Sequence, residues 1–260
     1  MLSFLFLCAG GFLLYYLLTR TAKEDSPALD TVLITEIDEP FLEQEVLFYS
    51  SLNSEQKRLF RQEVAHFLGR VQITGVDTVV TEEDRILIAS SAVIPIFHFS
   101  QWEDYPLSEV MLYSGAINLD FETDSHDSNI LGMVGTGQME GKMALSRHAL
   151  REGFQNKTDK HNTAIHEFIH LIDKVDGVID GVPKVLLDNS YALPWIKLIR
   201  YKIEEIKKGR SDIHEYGATN LSEFLAVSGE YFFERPDLLK QKHPELYELL
   251  NQMFTGRISS

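Results

Sequence analysis

The chain has little cysteine, little proline and few positive charges. Its single cysteine, Cys8, excludes an internal disulfide framework, which is compatible with a reducing compartment. With 8 prolines and 44% hydrophobic residues in 260, the chain can bury a sizeable core, in one domain or a small pair. The 24 Lys and Arg against 39 Asp and Glu give a net charge of −15. This balance disfavours nucleic-acid binding, because phosphate contacts depend on clustered Lys and Arg.

Charge is also missing from the start of the chain. The stretch from Met1 to Leu18 holds no charged residue, and Arg20 and Lys23 follow it. Eighteen apolar or neutral residues are just enough to span a bilayer, whereas the basic start and the small-residue cleavage site of a signal peptide are not clear. We therefore predict a single-pass anchor in the inner (cytoplasmic) membrane. The positive-inside rule places the rest of the chain on the cytoplasmic side.

This prediction divides the chain into three parts. Residues 1–19 form the transmembrane anchor, and the polar residues 20–35 form a tether. Residues 36–260 remain for a catalytic domain, whose chemistry the following motif predicts.

Two histidines and a glutamate form a metal-binding pattern. His166, Glu167 and His170 occur in the run His-Glu-Phe-Ile-His. On an α-helix this spacing puts both imidazoles on one face, about 6 Å apart, where they can bind one Zn²⁺. The glutamate can then act on the water that the zinc binds. The pattern is the HExxH motif of zinc peptidases. A surface helix that carries these residues by chance is the alternative.

The flanking residues predict a helix anchored in the core. Apolar residues at i, i+3, i+4 and i+7 form one stripe: Ile165, Phe168, Ile169 and Ile172. We expect Thr158 or Asp159 to cap the start of this helix and the pair Asp176-Gly177 to end it. A zinc site needs such rigid support.

A catalytic zinc needs a third protein ligand and keeps its fourth position for water. Two of the three candidates follow the motif closely. Asp173 is about 10 Å along the helix axis from His166, which is too far for both to bind one ion. We expect Asp173 either to accept a hydrogen bond from the N–H of a ligand imidazole or to be solvated. Asp176 has the offset that metzincins use, but the glycine that turns their chain is absent.

The third candidate lies further along the chain. Glu223 follows Asn220 with the spacing of a capping box, which needs no metal. Glu230 is one heptad later on the same face, and we expect it to support the site from outside or to lie on the surface. Spacing alone leaves these alternatives open.

Several stretches of the sequence resemble one family. They are ALSRHALREGF, HNTAIHEFIHLIDKVDGVIDGVP and YGATNLSEFLAVSGEYFFERP, with EEDRILIASSAVIPIF and VMLYSGAI upstream. Together they resemble the Mlc titration factor A family of zinc-dependent peptidases from about Phe48 to Leu250. The resemblance implies an α+β, zincin-like domain in which the active-site helix lies beside a small mixed sheet. It also implies one Zn²⁺ per chain and aminopeptidase-like activity.

The resemblance also implies residue roles. In this family, and in the similar catalytic domain of anthrax lethal factor, the helix with Glu-Phe-[Phe/Leu]-Ala supplies the third zinc ligand, which here is Glu223. Tyr216 matches a family tyrosine whose hydroxyl faces the reaction intermediate, and a phenol can donate to the developing oxyanion. His214 is the alternative donor.

The expected reaction is hydrolysis of a peptide or protein substrate by a zinc-activated water, with Glu167 as the general base. The second hypothesis is a binding protein that sequesters a transcriptional repressor or another protein regulator, with peptidase activity secondary.

Local patterns predict further elements. We expect a helix or helix pair between Phe48 and Arg70, with a helix start near Ser54. We also expect a buried helix from Ile86 to Phe97 that ends near Pro95, and a strand from Val110 to Leu119. In zincins such a strand lies beside the active-site helix and pairs with extended substrate, so we predict that role for it.

Two loops contain residues found in binding sites, but a simpler interpretation fits each of them better. Gly135 and Gly137 lack the third glycine of a dinucleotide loop and indicate a hairpin turn. Asp124, His126 and Asp127 are more typical of a solvated loop than of a second ion site.

Overall fold

The computed structural model describes residues 37–99, 102, 104–118, 120–123, 129–156, 159–187 and 189–256. The predicted anchor and tether lie outside these residues, and so does the loop with Asp124, His126 and Asp127. Within the described ranges, no helix has both the length and the apolar character that a membrane span requires.

Helices dominate the regular structure of the described chain, and four short strands form a small sheet. The helices are α1 (Glu39–Glu45), α2 (Leu47–Ser50), α3 (Ser54–Arg70), α4 (Glu82–Val93), α5 (Arg147–Gln155), α6 (Thr163–Asp173), α7 (Asn189–Lys207), α8 (Leu221–Glu234), α9 (Pro236–Lys242) and α10 (Pro244–Thr255). The strands are β1 (Gln72–Val76), β2 (Glu109–Tyr113), β3 (Gly132–Val134) and β4 (Lys142–Ser146). This composition fits the predicted α+β class.

The sheet is mixed, and its order is β1-β2-β4-β3. The pairs β1/β2 and β2/β4 are parallel, and α4 makes the crossover between β1 and β2. β3 forms an antiparallel hairpin with β4 through a turn that contains Gly135 and Gly137, as predicted. Gly137 has a φ of +59°, a conformation that glycine adopts without steric cost. Because β3 is last in the strand order, it forms an edge of the sheet.

The predicted role of the strand from Val110 to Leu119 is wrong. β2 already ends at Tyr113, and Ile117 makes only isolated bridges, to Thr123 and Ile130. β2 pairs with β1 on one side and with β4 on the other, so its backbone groups are not available to a substrate. Strand order depends on tertiary pairing, which the local pattern does not report.

The helices predicted within residues 48–70 and 86–97 are confirmed, and the second of them starts earlier than expected. α2 and α3 form the expected helix pair. α4 begins four residues before Ile86, because Thr81 and Asp84 form a capping box that our reading of the sequence missed. A short 3₁₀ turn, Ile94–Ile96, follows α4 and includes Pro95.

Close helix packing fixes α8 against α6. A Cβ atom on Gly229 of α8 would lie 2.3 Å from Cδ1 of Ile169 on α6, so only glycine allows this approach. Ile169 itself is fully buried. The packing brings the residues of α8 next to the histidines of α6.

Asp212 connects the C-terminal helices to the segment that precedes α6. His243 Nε2 donates a hydrogen bond to its carboxylate at 2.7 Å, and the Tyr231 hydroxyl donates one at 2.9 Å. Lys160 and Lys242 each form an ion pair with it at 3.1 Å. Burial raises the pKa of Asp212, but these donors hold it well below its usual range.

Candidate metal centre

Asn162 starts the helix that carries the HExxH motif. Its side-chain oxygen accepts a hydrogen bond from Ile165 N–H at 3.2 Å, and α6 begins at the next residue. The predicted cap at Thr158 or Asp159 is therefore wrong, because the chain becomes helical only after Asn162. Gly177, with a φ of +90°, ends the 3₁₀ extension of α6 where a stop was predicted.

Three side-chain atoms meet at one point. His166 Nε2 lies 3.1 Å from His170 Nε2, and Glu223 Oε2 lies 3.1 Å from the first nitrogen and 3.4 Å from the second. Tetrahedral ligands at the usual zinc distances would be about 3.3 Å apart. Among the described residues these three form the one group of His, Cys, Asp or Glu side chains with ligand atoms close enough to hold a metal ion. The cluster fits one such ion.

Hydrogen bonds behind the imidazoles fix their tautomers. His166 Nδ1 lies 2.6 Å from Glu230 Oε1, and because a carboxylate only accepts, this nitrogen carries the hydrogen. His170 Nδ1 lies 3.0 Å from Ser222 Oγ, whose own hydrogen is directed to Asp173 Oδ2 at 3.2 Å. Both Nε2 atoms therefore present lone pairs toward the carboxylate oxygen of Glu223. A cation satisfies all three acceptors.

The Glu223 carboxylate is charged in this environment. Burial raises its pKa, but the adjacent His166 and His170 side chains lower it to about 2. Glu223 lies in the first turn of α8, and its N–H donates to the Asn220 cap at 2.9 Å. The capping contact uses the backbone of Glu223, so its side chain is left for the cluster.

Glu230 links a histidine of the cluster to the start of α6. One of its oxygens accepts from His166, and the other accepts from the Asn162 N–H at 2.7 Å. Its side chain is 5% exposed, so the contact is shielded from water. The expectation that this residue lies outside the ligand set but supports it agrees with this geometry.

Asp173 reaches the cluster only through Ser222. It accepts hydrogen bonds from the Ser222 hydroxyl and, at 2.8 Å, from Gly181 N–H. The sequence predicted either a direct bond from a ligand imidazole or a solvated side chain. Instead, Ser222 lies between His170 and Asp173, and Asp173 is fully buried. Nothing in the sequence marked Ser222 except its place beside Glu223. Burial raises the pKa of Asp173 to about 6.

Asp176 lies outside the cluster. Its carboxylate forms an ion pair with Lys184 at 2.8 Å and accepts from Val178 N–H at 3.1 Å.

Glu167 lies beside the cluster, and the residue is 6% exposed. Its carboxylate forms no hydrogen bond with the described part of the chain. Burial raises its pKa above the ordinary value. The edge strand β3 leaves room for it only because it has glycine there. A Cβ atom on Gly132 would lie 2.7 Å from Glu167 Cγ and 2.9 Å from its Oε1.

Tyr216 borders the cluster, and His214 contacts Tyr216. The Tyr216 ring lies 6.0 Å from the His166 ring and is half exposed. Burial, and then the charges of Glu223 and Glu167, raise its pKa, so the phenol keeps its hydrogen. His214 Nδ1 accepts from Tyr216 N–H at 3.3 Å, which orients the tyrosine backbone.

A helix-borne HExxH motif, a distant glutamate and an edge strand beside them are typical of a metallopeptidase. The family model described as Glucose-regulated metallo-peptidase M90 matches residues 19–255. The chain belongs to this family of metallopeptidases, and membership implies a metal. The match begins upstream of Phe48, where the resemblance was expected to start.

Comparison with individual proteins gives relatives at modest identity. An uncharacterized protein of Synechocystis is 29% identical over 220 residues, which cover 80% of this chain and 79% of the relative. The Mlc titration factor A of Klebsiella pneumoniae (strain MGH 78578) is 24% identical over 76% of this chain and 78% of its own length. The protein of that name from Pectobacterium atrosepticum is 24% identical over 56% of this chain and 58% of its own length. The predicted resemblance is confirmed.

The outer hydrogen bonds generate a prediction about metal affinity. Glu230→Gln puts an amide N–H against the Asn162 N–H, and Ser222→Ala removes the acceptor of His170, so each should weaken zinc binding about ten- to hundredfold. Competition with a chromophoric chelator measures the dissociation constant. Glu248→Gln, on an exposed part of α10, is the control and should bind as the wild type does. Wild-type affinity in both variants would contradict the supporting role.

Proposed function

We propose that this protein is a zinc-dependent peptidase in which His166, His170 and Glu223 hold the metal and Glu167 is the general base. The observation that carries the proposal is the convergence of three acceptor atoms, with 3.1 to 3.4 Å between them, next to a buried carboxylate. Two imidazole nitrogens and one carboxylate oxygen form a ligand set that suits catalytic zinc. Membership of a metallopeptidase family supports the reaction class.

The residues around the cluster have distinct tasks in peptide hydrolysis. When bound, zinc supplies a Lewis acid that polarises the scissile carbonyl and lowers the pKa of water toward about 7. Glu167 accepts a proton from the attacking water and delivers it to the leaving amine. Its raised pKa suits this exchange, because the group must both take and release a proton. Tyr216 donates its phenol hydrogen to the carbonyl oxygen as negative charge develops there.

The free edge of β3 can align an extended peptide. Leu131 C=O accepts from Ser146 N–H, and Gly135 N–H donates to Lys142 C=O, so these residues direct their backbone groups toward β4. In an antiparallel ladder the alternate residues point the other way, which places the N–H and C=O groups of Gly132 and Val134 on the free edge. We assign to this edge the substrate pairing first predicted for β2.

The type of peptidase and its location extend this proposal. The resemblance to Mlc titration factor A relatives supports aminopeptidase-like activity. The uncharged stretch from Met1 to Leu18, followed by Arg20 and Lys23, supports a membrane anchor with the catalytic domain in the cytoplasm.

Reporter fusions test the location. A C-terminal fusion should be active with a reporter that works in the cytoplasm, and the chain should fractionate with the membrane until residues 1–19 are deleted. Activity confined to a periplasmic reporter would reverse the orientation, and wild-type chain in the soluble fraction would exclude the anchor.

A second candidate function is the capture of a regulatory protein, such as a transcriptional repressor. The relatives from Klebsiella and Pectobacterium are named titration factors of Mlc, which supports a protein partner. The net charge of −15 is compatible with a basic partner surface. A biological effect that survives the loss of catalysis would favour capture.

Glu167→Gln separates catalysis from metal binding. Glutamine cannot accept the water proton, so kcat should fall by about 10²- to 10⁴-fold while zinc stoichiometry is unchanged. Peptide hydrolysis and elemental analysis of the same preparation measure the two quantities. Full activity in a zinc-loaded variant would rule out the proposed base.

Gly132→Ala tests the contact between the edge strand and the base. The new methyl displaces the Glu167 side chain, and kcat/KM should fall roughly ten- to hundredfold. The methyl also meets Thr163 Cγ2 at 2.9 Å, so the thermal midpoint is measured in parallel to separate lost activity from lost stability. Gly115→Ala is the matched control, since a Cβ there has no atom within 4 Å. Equal activities in the two variants would contradict the positioning role.

A further inference from the structure

A large cavity is lined by His166, Glu167 and Tyr216, so it includes the space at the candidate metal centre. Its volume is about 930 Å³. The other lining residues come from the start of α6 and the segment before it, the residues before β3, α5, α8 and the 3₁₀ turn Glu215–Ala218. The residues before β3 continue the strand whose free edge faces the substrate. A peptide aligned on β3 therefore has the cavity within reach of its side chains.

The wall of this cavity is acidic. Glu152, Asp159 and Glu215 line it in addition to Glu167 and Glu230, and among its described lining residues there is no Lys or Arg. Glu152, Asp159 and Glu215 have no role in the proposed reaction.

Among the described residues, no Lys or Arg forms an ion pair with the three outer carboxylates. Glu215 forms no ion pair there, and the described donors to Asp159 are an amide, Asn156 Nδ2 at 2.6 Å, and a backbone group, His161 N–H at 3.1 Å. The nearest charge-bearing partner of Glu152 is His148 Nδ1, at 3.6 Å on an exposed helix face.

Two neighbouring basic residues are paired elsewhere or uncharged. Lys160 follows Asp159 directly but forms its ion pair with Asp212. His214 lines the cavity, and burial together with the nearby His161 lowers its pKa, so its ring is neutral at neutral pH. A cavity with walls of one sign concentrates ions of the other sign.

We infer that this cavity is a specificity subsite for a cationic group of the peptide substrate, which Glu152 and Glu215 recognise. The inference rests on the proposed peptidase function, whose substrate class it names. The cation is an ammonium or guanidinium group, and two parts of a peptide can supply it: a Lys or Arg side chain, or the free amino terminus.

Matched peptides measure this preference with the zinc-loaded full chain. One residue of an alanine-based peptide is varied among Lys, Arg, Met and Glu at each position around the cleavage site, with a free or an acetylated amino terminus. The cationic peptides should be preferred over the Met peptide about five- to tenfold in kcat/KM at one position, and the Glu peptide should be the poorest. A preference that persists after acetylation identifies the side chain as the source, and one that acetylation removes identifies the terminus.

Variants link the preference to the acidic wall. In the double variant Glu152→Gln, Glu215→Gln the preference should fall below twofold, while kcat/KM for the acetylated Met peptide stays at the wild-type level and reports an intact fold. Glu248→Gln should keep the full preference. Equal hydrolysis of all peptides by the wild type, or an unchanged preference in the double variant, would overturn the inference.

Binding separates this inference from the proposed reaction. If no peptide is hydrolysed, fluorescence polarisation of the same labelled peptides with the wild type and the double variant gives their dissociation constants. A cationic preference that the double variant loses would keep the subsite and reject only the peptidase. Equal dissociation constants would reject the subsite as well.

Discussion

The site depends on three acceptor atoms that the fold holds together without a hydrogen between them. The imidazoles of His166 and His170 each direct their one N–H outward, to Glu230 and to Ser222, so their lone pairs converge on the carboxylate of Glu223. Such an arrangement repels itself unless a cation occupies its centre. Helix packing enforces it, because α8 supplies the carboxylates and the serine while α6 supplies the histidines. The fold therefore holds these three ligand atoms in place before any substrate is present.

The parts of the site within one helix could be predicted from the sequence, whereas those between helices required the structure. The spacing of His166 and His170 is local, and a helix converts it directly into geometry. Glu223 lies 57 residues from His166, so spacing alone could not select it, and the resemblance to a family did. Ser222 was missed because a serine in the first turn of a helix is common at any helix start. Its bond to Asp173 exists only after α6 and α8 pack.

In the fold, too, local features could be predicted from the sequence, whereas features that depend on tertiary contacts could not. Hydrophobic periodicity located α3 and α6, and glycine located the β3/β4 hairpin, because these signals act over a few residues. The order of the strands does not follow from any local signal, and for that reason β2 was assigned the substrate role that the position of β3 supports. The acidic cavity also combines five separate segments, and no single stretch of sequence displays it.

X-ray absorption at the zinc edge of the purified, metal-loaded chain tests the central claim most directly. The account predicts one zinc per chain, with two imidazole nitrogens and one carboxylate oxygen at about 2.0–2.2 Å and one exchangeable light ligand. A spectrum with one imidazole or none, or a stoichiometry that is the same in His170→Ala as in the wild type, would contradict it.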